Sequence, residues 1–388
     1  MVTMTTADNA LKSFYLGVVS EQLNTSVNPL LAKIKQSTAD VWGKEVRRLA
    51  QYGVNGGIGA GTEEGDLPAA AGNNYEQFVT TLKNLYGTVE ISDKAVRASE
   101  NSAGAFVNLL NAEMEGLIKS SSFNFGRMLF GDGSGKLCTV ESVSGNTVTA
   151  DSVKNIIEGM VVDIYDAAGT AVSSVTGRRV LSVDREGKKF TLSGGALSGV
   201  DAEDFVVVQG SYNLELTGLG AIFKNSGTLY GLDRATHTWM IPYMKSSVGE
   251  ISETVIQAAI DKLEETANSR VNFIVCSWGV KRALQKALSA SRSLTDPEVL
   301  AGGYKAITYN GIPVVADRFC PDGTMYLLNT DDFCLHQLCD WKWLEGDDGK
   351  VLKQVPGKPL YTATLVKYAD LICTRPCGQA MLTGITEE

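Results

Sequence analysis

Residues 53–75, GVNGGIGAGTEEGDLPAAAGNNY, hold seven glycines, three acids and no basic residue, a density that raises the question of a phosphate-cradling loop. A dinucleotide loop needs G-x-G-x-x-G running straight into a helix. Counted from Gly57 the third glycine falls on Thr62, and counted from Gly59 it falls on Glu64. A P-loop ends in Gly-Lys-Ser/Thr, so that an ammonium meets the phosphates. Here Gly61 is followed by Thr62, Glu63 and Glu64, and these two carboxylates, with Asp66, would repel a phosphate. Gly131-Asp132-Gly133-Ser134-Gly135-Lys136 ends in Gly-Lys but is one residue short of a P-loop and follows a helical pattern instead of a strand, so it reads as a helix stop and a turn.

Other chemistry fails on spacing as well. Cys334-Leu335-His336-Gln337-Leu338-Cys339 is the best metal candidate, with Cys373 and Cys377 as further thiols. On a strand Cys334 and His336 share one face and Cys339 points to the other, and no Cys-x2-Cys pair occurs. The seven cysteines read as buried, reduced thiols, and no metal and no cofactor are expected. There is no Gly-x-Ser-x-Gly elbow, and two histidines in 388 residues remove the commonest general-base designs. Trp341-Lys342-Trp343 sets two indoles on one face of a strand, a face for core or interface more than for stacking on bases. Nothing converges on an active site.

The bulk numbers agree with a binding or building role. The chain is 44% hydrophobic and 20% charged, with net charge -9 and a pI near 5.0. That argues against tight, charge-driven binding to nucleic acid by the chain as a whole. No apolar run is long enough to span a membrane, and MVTMTTADNALKSFYLG lacks the basic-then-apolar order of a secretory signal.

The elements that would carry these residues fall in a definite order. Leu11, Phe14, Tyr15, Val18, Val19 and Leu23 form a helical stripe broken at Asn28-Pro29, which reads as an arm over residues 1–40. Strand-like runs at 41–52 and 78–91 flank the glycine-rich stretch and predict a hairpin with a long tip, within 41–96. Phe106, Val107, Leu110, Met114, Leu117 and Ile118, continued by Phe125, Met128 and Leu129, predict a helix over 103–130, capped by Ser99 or Ser102, in a unit spanning 97–136. Such a helix would be roughly 40 Å long.

Residues 137–215 change texture. LCTVESV, NTVTA, MVVDIYD, RRVLSVD, KKFTLS and DFVVVQ are short strands separated by turn residues, the pattern of a small all-β sandwich or barrel. Its six basic side chains against eleven acids make it a poor oligonucleotide-binding surface. Residues 216–340 read as mixed α/β, with helices at 247–267 and 278–290 and strands at 271–276, TYNGIPVVAD and TMYLLN. Residues 341–388 read as long and β-rich. The fold class is α+β. An arm and a hairpin of this kind cannot bury their own surfaces, and such parts find their core on a neighbouring subunit.

That order of parts resembles the major capsid proteins of tailed double-stranded DNA bacteriophages, the HK97-like fold. TADNALKSFYLGVVSEQL resembles the N-terminal arm, and VWGKEVRRLAQYGVNGG through KNLYGTVEISDKAV the E-loop. SAGAFVNLLNAEMEGLIKSSSFNFGRMLFG resembles the spine helix of the peripheral domain. FIVCSWGVKRALQKAL and YNGIPVVADRFCPDGTMYLLNTDDF resemble the axial domain, and LYTATLVKYADLICTRPCGQAMLTGI the returning strands of the peripheral domain. Residues 137–215 would be an inserted domain. The resemblance implies a structural subunit, not an enzyme, that forms pentamers and hexamers and encloses double-stranded DNA without sequence specificity. It implies a virion location after assembly in the bacterial cytoplasm, with a portal and a decoration protein as possible partners. Inter-subunit contacts are expected from Gly57, Gly59, Glu63, Glu64, Asp66, Leu67 and Pro68 at the tip and from Trp341 and Trp343.

Two departures sharpen the expectation. No lysine lies between Lys44 and Lys83, so the tip offers no amine for a covalent cross-link, and a non-covalent shell is expected. The arm-like helix starts almost at Met1, which predicts a separate scaffolding protein or none. The alternatives are an encapsulin-type compartment on the same fold, a hydrolase using paired carboxylates, or a tail-tube subunit; the spine-like helix argues against the last.

Overall fold

In a computed structural model of the chain, the residues described are 28–39, 41, 43, 45–94, 103–290, 298–299, 305–346, 349 and 351–388. The stripe of the expected arm, Leu11 to Leu23, and the candidate caps Ser99 and Ser102 lie outside them.

The apolar period of 114–129 does what it dictates. A single helix runs from Ala103–Phe130, and Met114, Ile118, Phe125, Met128 and Leu129 bury one stripe of it. The stripe crosses a five-stranded sheet. The spine of that sheet is the 14-residue strand Leu360–Cys373, paired antiparallel with Lys83–Ser92 on one edge and with Phe333–Trp343 and Lys353–Gln354 on the other. Lys35–Ser37 extends it in parallel beyond Phe333–Trp343. The helix comes so near the sheet at Gly87 that a Cβ there would lie 2.9 Å from Leu117 Cδ1.

The helix ends at Gly131, whose N–H returns to the Met128 carbonyl. Its last carbonyls are covered by a loop that leads into the short helix Leu219–Ile222. A Cβ on Gly218 would fall within 2.7 Å of the carbonyl oxygens of Met128, Leu129 and Gly131, so only glycine fits there.

A second sheet has seven strands, in the order Tyr243–Lys245, Ala380–Leu382, Met325–Leu328, Phe273–Cys276, Ile312–Ala316, Lys305–Tyr309 and Glu298–Val299. FIVC and MYLL are buried at every position, because one face packs on the helices Glu253–Ala267 and Trp278–Ala290 and the other on the long-helix core. Continuous apolar strands are what two covered faces require. Ser252 caps Glu253–Ala267, so that helix begins later than the 247 read from sequence. The C-terminal region also divides differently from the sequence reading. The five-stranded sheet already begins its return at Phe333, and Ala380–Leu382 belongs to the seven-stranded sheet.

Between these units stands a closed six-stranded barrel, ordered Phe205–Val208, Lys136–Ser144, Thr147–Ala150, Lys189–Leu192, Arg178–Asp184 and Val161–Tyr165. Each strand falls within or against one of the six runs picked out in the sequence. Its core, including Val140, Val148, Ile164, Val180, Phe190 and Val206, contains barrel residues alone. Asp163, on the face of its strand opposite Val162 and Ile164, is buried and accepts from the N–H groups of Gly177 (2.7 Å) and Gly210 (2.9 Å), both in left-handed conformations.

Candidate assembly interface

The hairpin is built from Glu45–Tyr52 and Asn74–Thr81, in register from Glu45 opposite Thr81 to Tyr52 opposite Asn74. The sequence reading took 78–91 as one arm. The structure breaks it at Leu82: the hairpin arm stops at Thr81, and Lys83–Ser92 leaves to join the five-stranded sheet.

Strand alternation gives the hairpin two unlike faces. Val46, Ala50 and Phe78 point inward and pack with Leu229, Tyr230, Met240 and Ile372. Trp239 lies between the two arms. Its ring stacks on Tyr52 at 4.8 Å, with an interplanar angle of 1°, and on Phe78 at 5.9 Å. The outer face carries Leu49 and Tyr75 into solvent.

A buried carboxylate fastens the root. Asp370, in the middle of Leu360–Cys373, accepts from Thr80 Oγ1 (2.5 Å), Thr217 N (2.8 Å), Thr217 Oγ1 (3.1 Å) and Leu371 N (3.0 Å). Three segments distant in sequence thus meet on one side chain. Burial pushes its carboxyl up, and the donors from Thr80 and Thr217 pull against that. Tyr230 adds a second tie: its hydroxyl donates to the Leu371 carbonyl (3.1 Å) and accepts from Cys373 N (3.0 Å). Beside these groups lies a cleft lined by Thr80, Thr217, Asp132 and Tyr230.

The tip, beyond Tyr52 and Asn74, has local order but, among the described residues, no apolar core to pack on. Asn55 donates to Asn73 (3.0 Å) and accepts from Gly57 N (2.9 Å), and a turn closes from Thr62 O to Gly65 N. Gly59 lies against Pro68, where a Cβ would come within 3.0 Å of Cγ. Gly59, Glu63, Glu64, Asp66, Leu67 and Pro68 are exposed and Gly57 is half-buried. Leu67 is 90% exposed, Ile58 78% and Val54 73%. These three bare aliphatic side chains share one loop with the three exposed carboxylates.

Trp341 and Trp343 correct the sequence expectation. Both indoles do share a strand face, but that face is the core: Trp343 is 1% exposed and Trp341 7%. They pack with the long helix, Trp341 edge-on to Phe125. Neither is free to touch another subunit. Lys367, also buried, lies beside them, donating to Gln337 Oε1 (2.8 Å) and Asp340 Oδ1 (2.6 Å) with its ammonium 5.1 Å from the Phe125 ring centre.

The cysteine–histidine segment makes no centre. Cys334 and His336 are buried within Phe333–Trp343, and among the described residues no three His, Cys, Asp or Glu side chains gather to hold a metal. Burial pushes the thiol of Cys276 up to about 12 and that of Cys373 upward as well, which makes them poor nucleophiles. Burial also pushes the Asp317 carboxyl up, to about 6. Phe319 N donates to its Oδ1 (2.9 Å), while its buried Oδ2 has no hydrogen-bond partner.

Comparison of the whole chain with solved structures places this arrangement. A subunit of the cyanophage A-1(L) capsid superposes over 97% of this chain and 93% of its own, at a TM-score of 0.54 and 13% identity. The chain has the HK97-like capsid fold. The capsid of the myovirus XM1 (TM-score 0.48, 10% identity, 93% of this chain and 92% of that one) is also similar. So is the SrpI encapsulin of Synechococcus elongatus PCC 7942 (0.47, 10%, 95% and 95%). The fold assignment rests on the first of the three. No family model and no curated protein matches the sequence.

What the sequence did not disclose is how the hairpin is held. Asp370, Tyr230 and Trp239 are 151–290 positions away from the hairpin residues they touch, and the one local signal was a charged residue, Asp370, inside the apolar run ADLIC.

Proposed function

We propose that this chain is the shell-forming subunit of a tailed-phage head, a structural protein with no catalytic role. It assembles with copies of itself as pentamers and hexamers into an icosahedral capsid around double-stranded DNA. The HK97-like fold supports the reading, and one observation carries it: the hairpin root is fastened to its own subunit while Val54, Ile58 and Leu67 stand bare at the tip. Burying such side chains is worth about 1.5–3 kcal/mol each, and among the described residues nothing of this subunit covers them. The tip residues Gly57, Gly59, Glu63, Glu64, Asp66, Leu67 and Pro68 are the inter-subunit contacts in this reading. A scaffolding protein, a portal and a decoration protein complete the partners, and the virion is the location. The net charge of -9 suits a container, since packaged DNA slides past an acidic wall without sticking.

Electron microscopy of the expressed chain, alone and with a scaffold candidate, tests this. Closed shells or hexameric sheets are expected. A chain that stays monomeric under both conditions would overturn the reading. Shells recovered from an infected host should hold nuclease-protected double-stranded DNA; shells filled with a protein cargo would turn the assignment to an encapsulin-type compartment.

A further inference from the structure

The barrel joins the rest of the molecule in an unusual way. Its core is self-contained, with no residue shared with the helix–sheet cores. The chain enters and leaves it side by side. Asn213 N donates to Ser134 O (2.9 Å), and a Cβ on Gly135 would come within 2.9 Å of Ser211 O. The entering connector carries two left-handed glycines, Gly133 at φ +87° and Gly135 at φ +82°, a backbone that side-chain-bearing residues rarely adopt. A narrow double connector with glycines in it is the geometry of a pivot.

Beyond that root, the hydrogen bonds that cross from the barrel to the rest of the described residues all come from Lys154. Its ammonium donates to the Cys320 carbonyl (2.7 Å) and to Asp322 Oδ1 (2.5 Å), on the turn that follows Ile312–Ala316. That turn is itself held from the body side. Gly323 N donates to Glu387 Oε1 (2.7 Å), and Arg318 lies 4.8 Å from the Phe123 ring of the long helix. Lys154 thus reaches from a free-standing module to a fixed point. The side chain of Lys154 is 27% exposed and that of Asp322 66%. An ion pair this open to water is weak and can part without disturbing either partner's core.

We infer that Lys154 is a latch: it sets the angle of the barrel against the body, and its release lets the barrel pivot as a rigid unit about residues 133–135 and 211–214, next to the point where the buried Arg127–Glu215 pair and Thr217 anchor the chain to the body. The inference does not depend on the shell reading, since it concerns motion within one subunit.

Amide hydrogen exchange of the full-length chain tests it, comparing wild type, Lys154→Ala and Lys154→Arg. In Lys154→Ala the amides of residues 318–324 and of both connectors should exchange about tenfold faster, while the barrel strands and the long helix keep their protection. Lys154→Arg, which can reach the same two acceptors, should restore slow exchange. Unchanged exchange at 318–324 and the connectors in Lys154→Ala would overturn the latch. So would lost protection in the barrel strands, which would make Lys154 part of the barrel's own fold.

Discussion

The barrel and the hairpin are both antiparallel β structure, and they solve opposite problems. The barrel closes on itself, so it has no open edge, and it fills its interior with its own valines, isoleucines and Phe190. The hairpin has two strands, too few to bury a face, and it borrows a core from Tyr230, Trp239, Met240 and Ile372. Past Tyr52 even that borrowing stops. The hairpin leaves its tip bare, whereas the barrel completes its own core and is joined by a thin root.

The sharpest way to break this comparison is at the tip. The double variant Ile58→Asp, Leu67→Asp should abolish assembly in electron microscopy. The melting temperature of the free subunit should stay within about 2 °C, because neither side chain is buried in it. Assembly that survives would mean that the tip is not a contact. Leu181→Asp, at a 55% exposed position on the barrel, should leave assembly intact.

Next in size are the two buried aspartates. Asp370→Ala strands the N–H groups of Thr217 and Leu371 and should cost about 2–4 kcal/mol in denaturant titration, loosening the hairpin root together with the main core. Asp370→Asn keeps an acceptor and removes a buried charge, so its cost should be clearly smaller. Asp163→Ala strands Gly177 and Gly210 and should cost about as much, but within the barrel alone. Calorimetry should then show a separate early transition for Asp163→Ala and a shift of the main one for Asp370→Ala. A single shared transition in both would deny the barrel its independence.

A smaller, pH-dependent effect belongs to Asp317, beneath the turn that Lys154 grips. Its folded value of about 6 lies above the usual 3.8, so its contribution to stability is full below pH 4 and is lost as the pH rises through 6. Asp317→Asn should therefore gain about 1–3 kcal/mol at pH 8 relative to its effect at pH 4. Equal effects at the two pH values would show that burial there is relieved by water. Smallest of all, Glu63→Gln, Glu64→Gln and Asp66→Asn together should change the salt dependence of the assembly rate and leave subunit stability within about 0.5 kcal/mol, since all three are exposed.

Much of this was legible in the sequence, and the reason differs by region. The six barrel strands could be read one by one, because each pairs with others nearby in the chain and the turn residues between them are local signals. The helix over 103–130 announced itself by period. The break at Leu82 could not be seen: Thr81 and Lys83 suit a strand equally well, and only the arrival of Leu360–Cys373 decides that one side belongs to the hairpin and the other to the sheet. Alternation put Trp341 and Trp343 on one face correctly, but it cannot tell inside from outside. Lys367 and Asp370 look like ordinary polar strand positions until their distant partners are in place. That the tip would stand exposed was legible from its glycines and acids, which offer a core nothing to bury.

The placement of Ala380–Leu382 has a consequence in time. This strand sits between Tyr243–Lys245 and Met325–Leu328, and without it Tyr243–Lys245 has no neighbour in the seven-stranded sheet. On the ribosome, the barrel can close as soon as residue 208 has emerged, while that sheet stays open until the segment around residue 380 is out. Prematurely terminated chains would carry a finished barrel on an unfinished body.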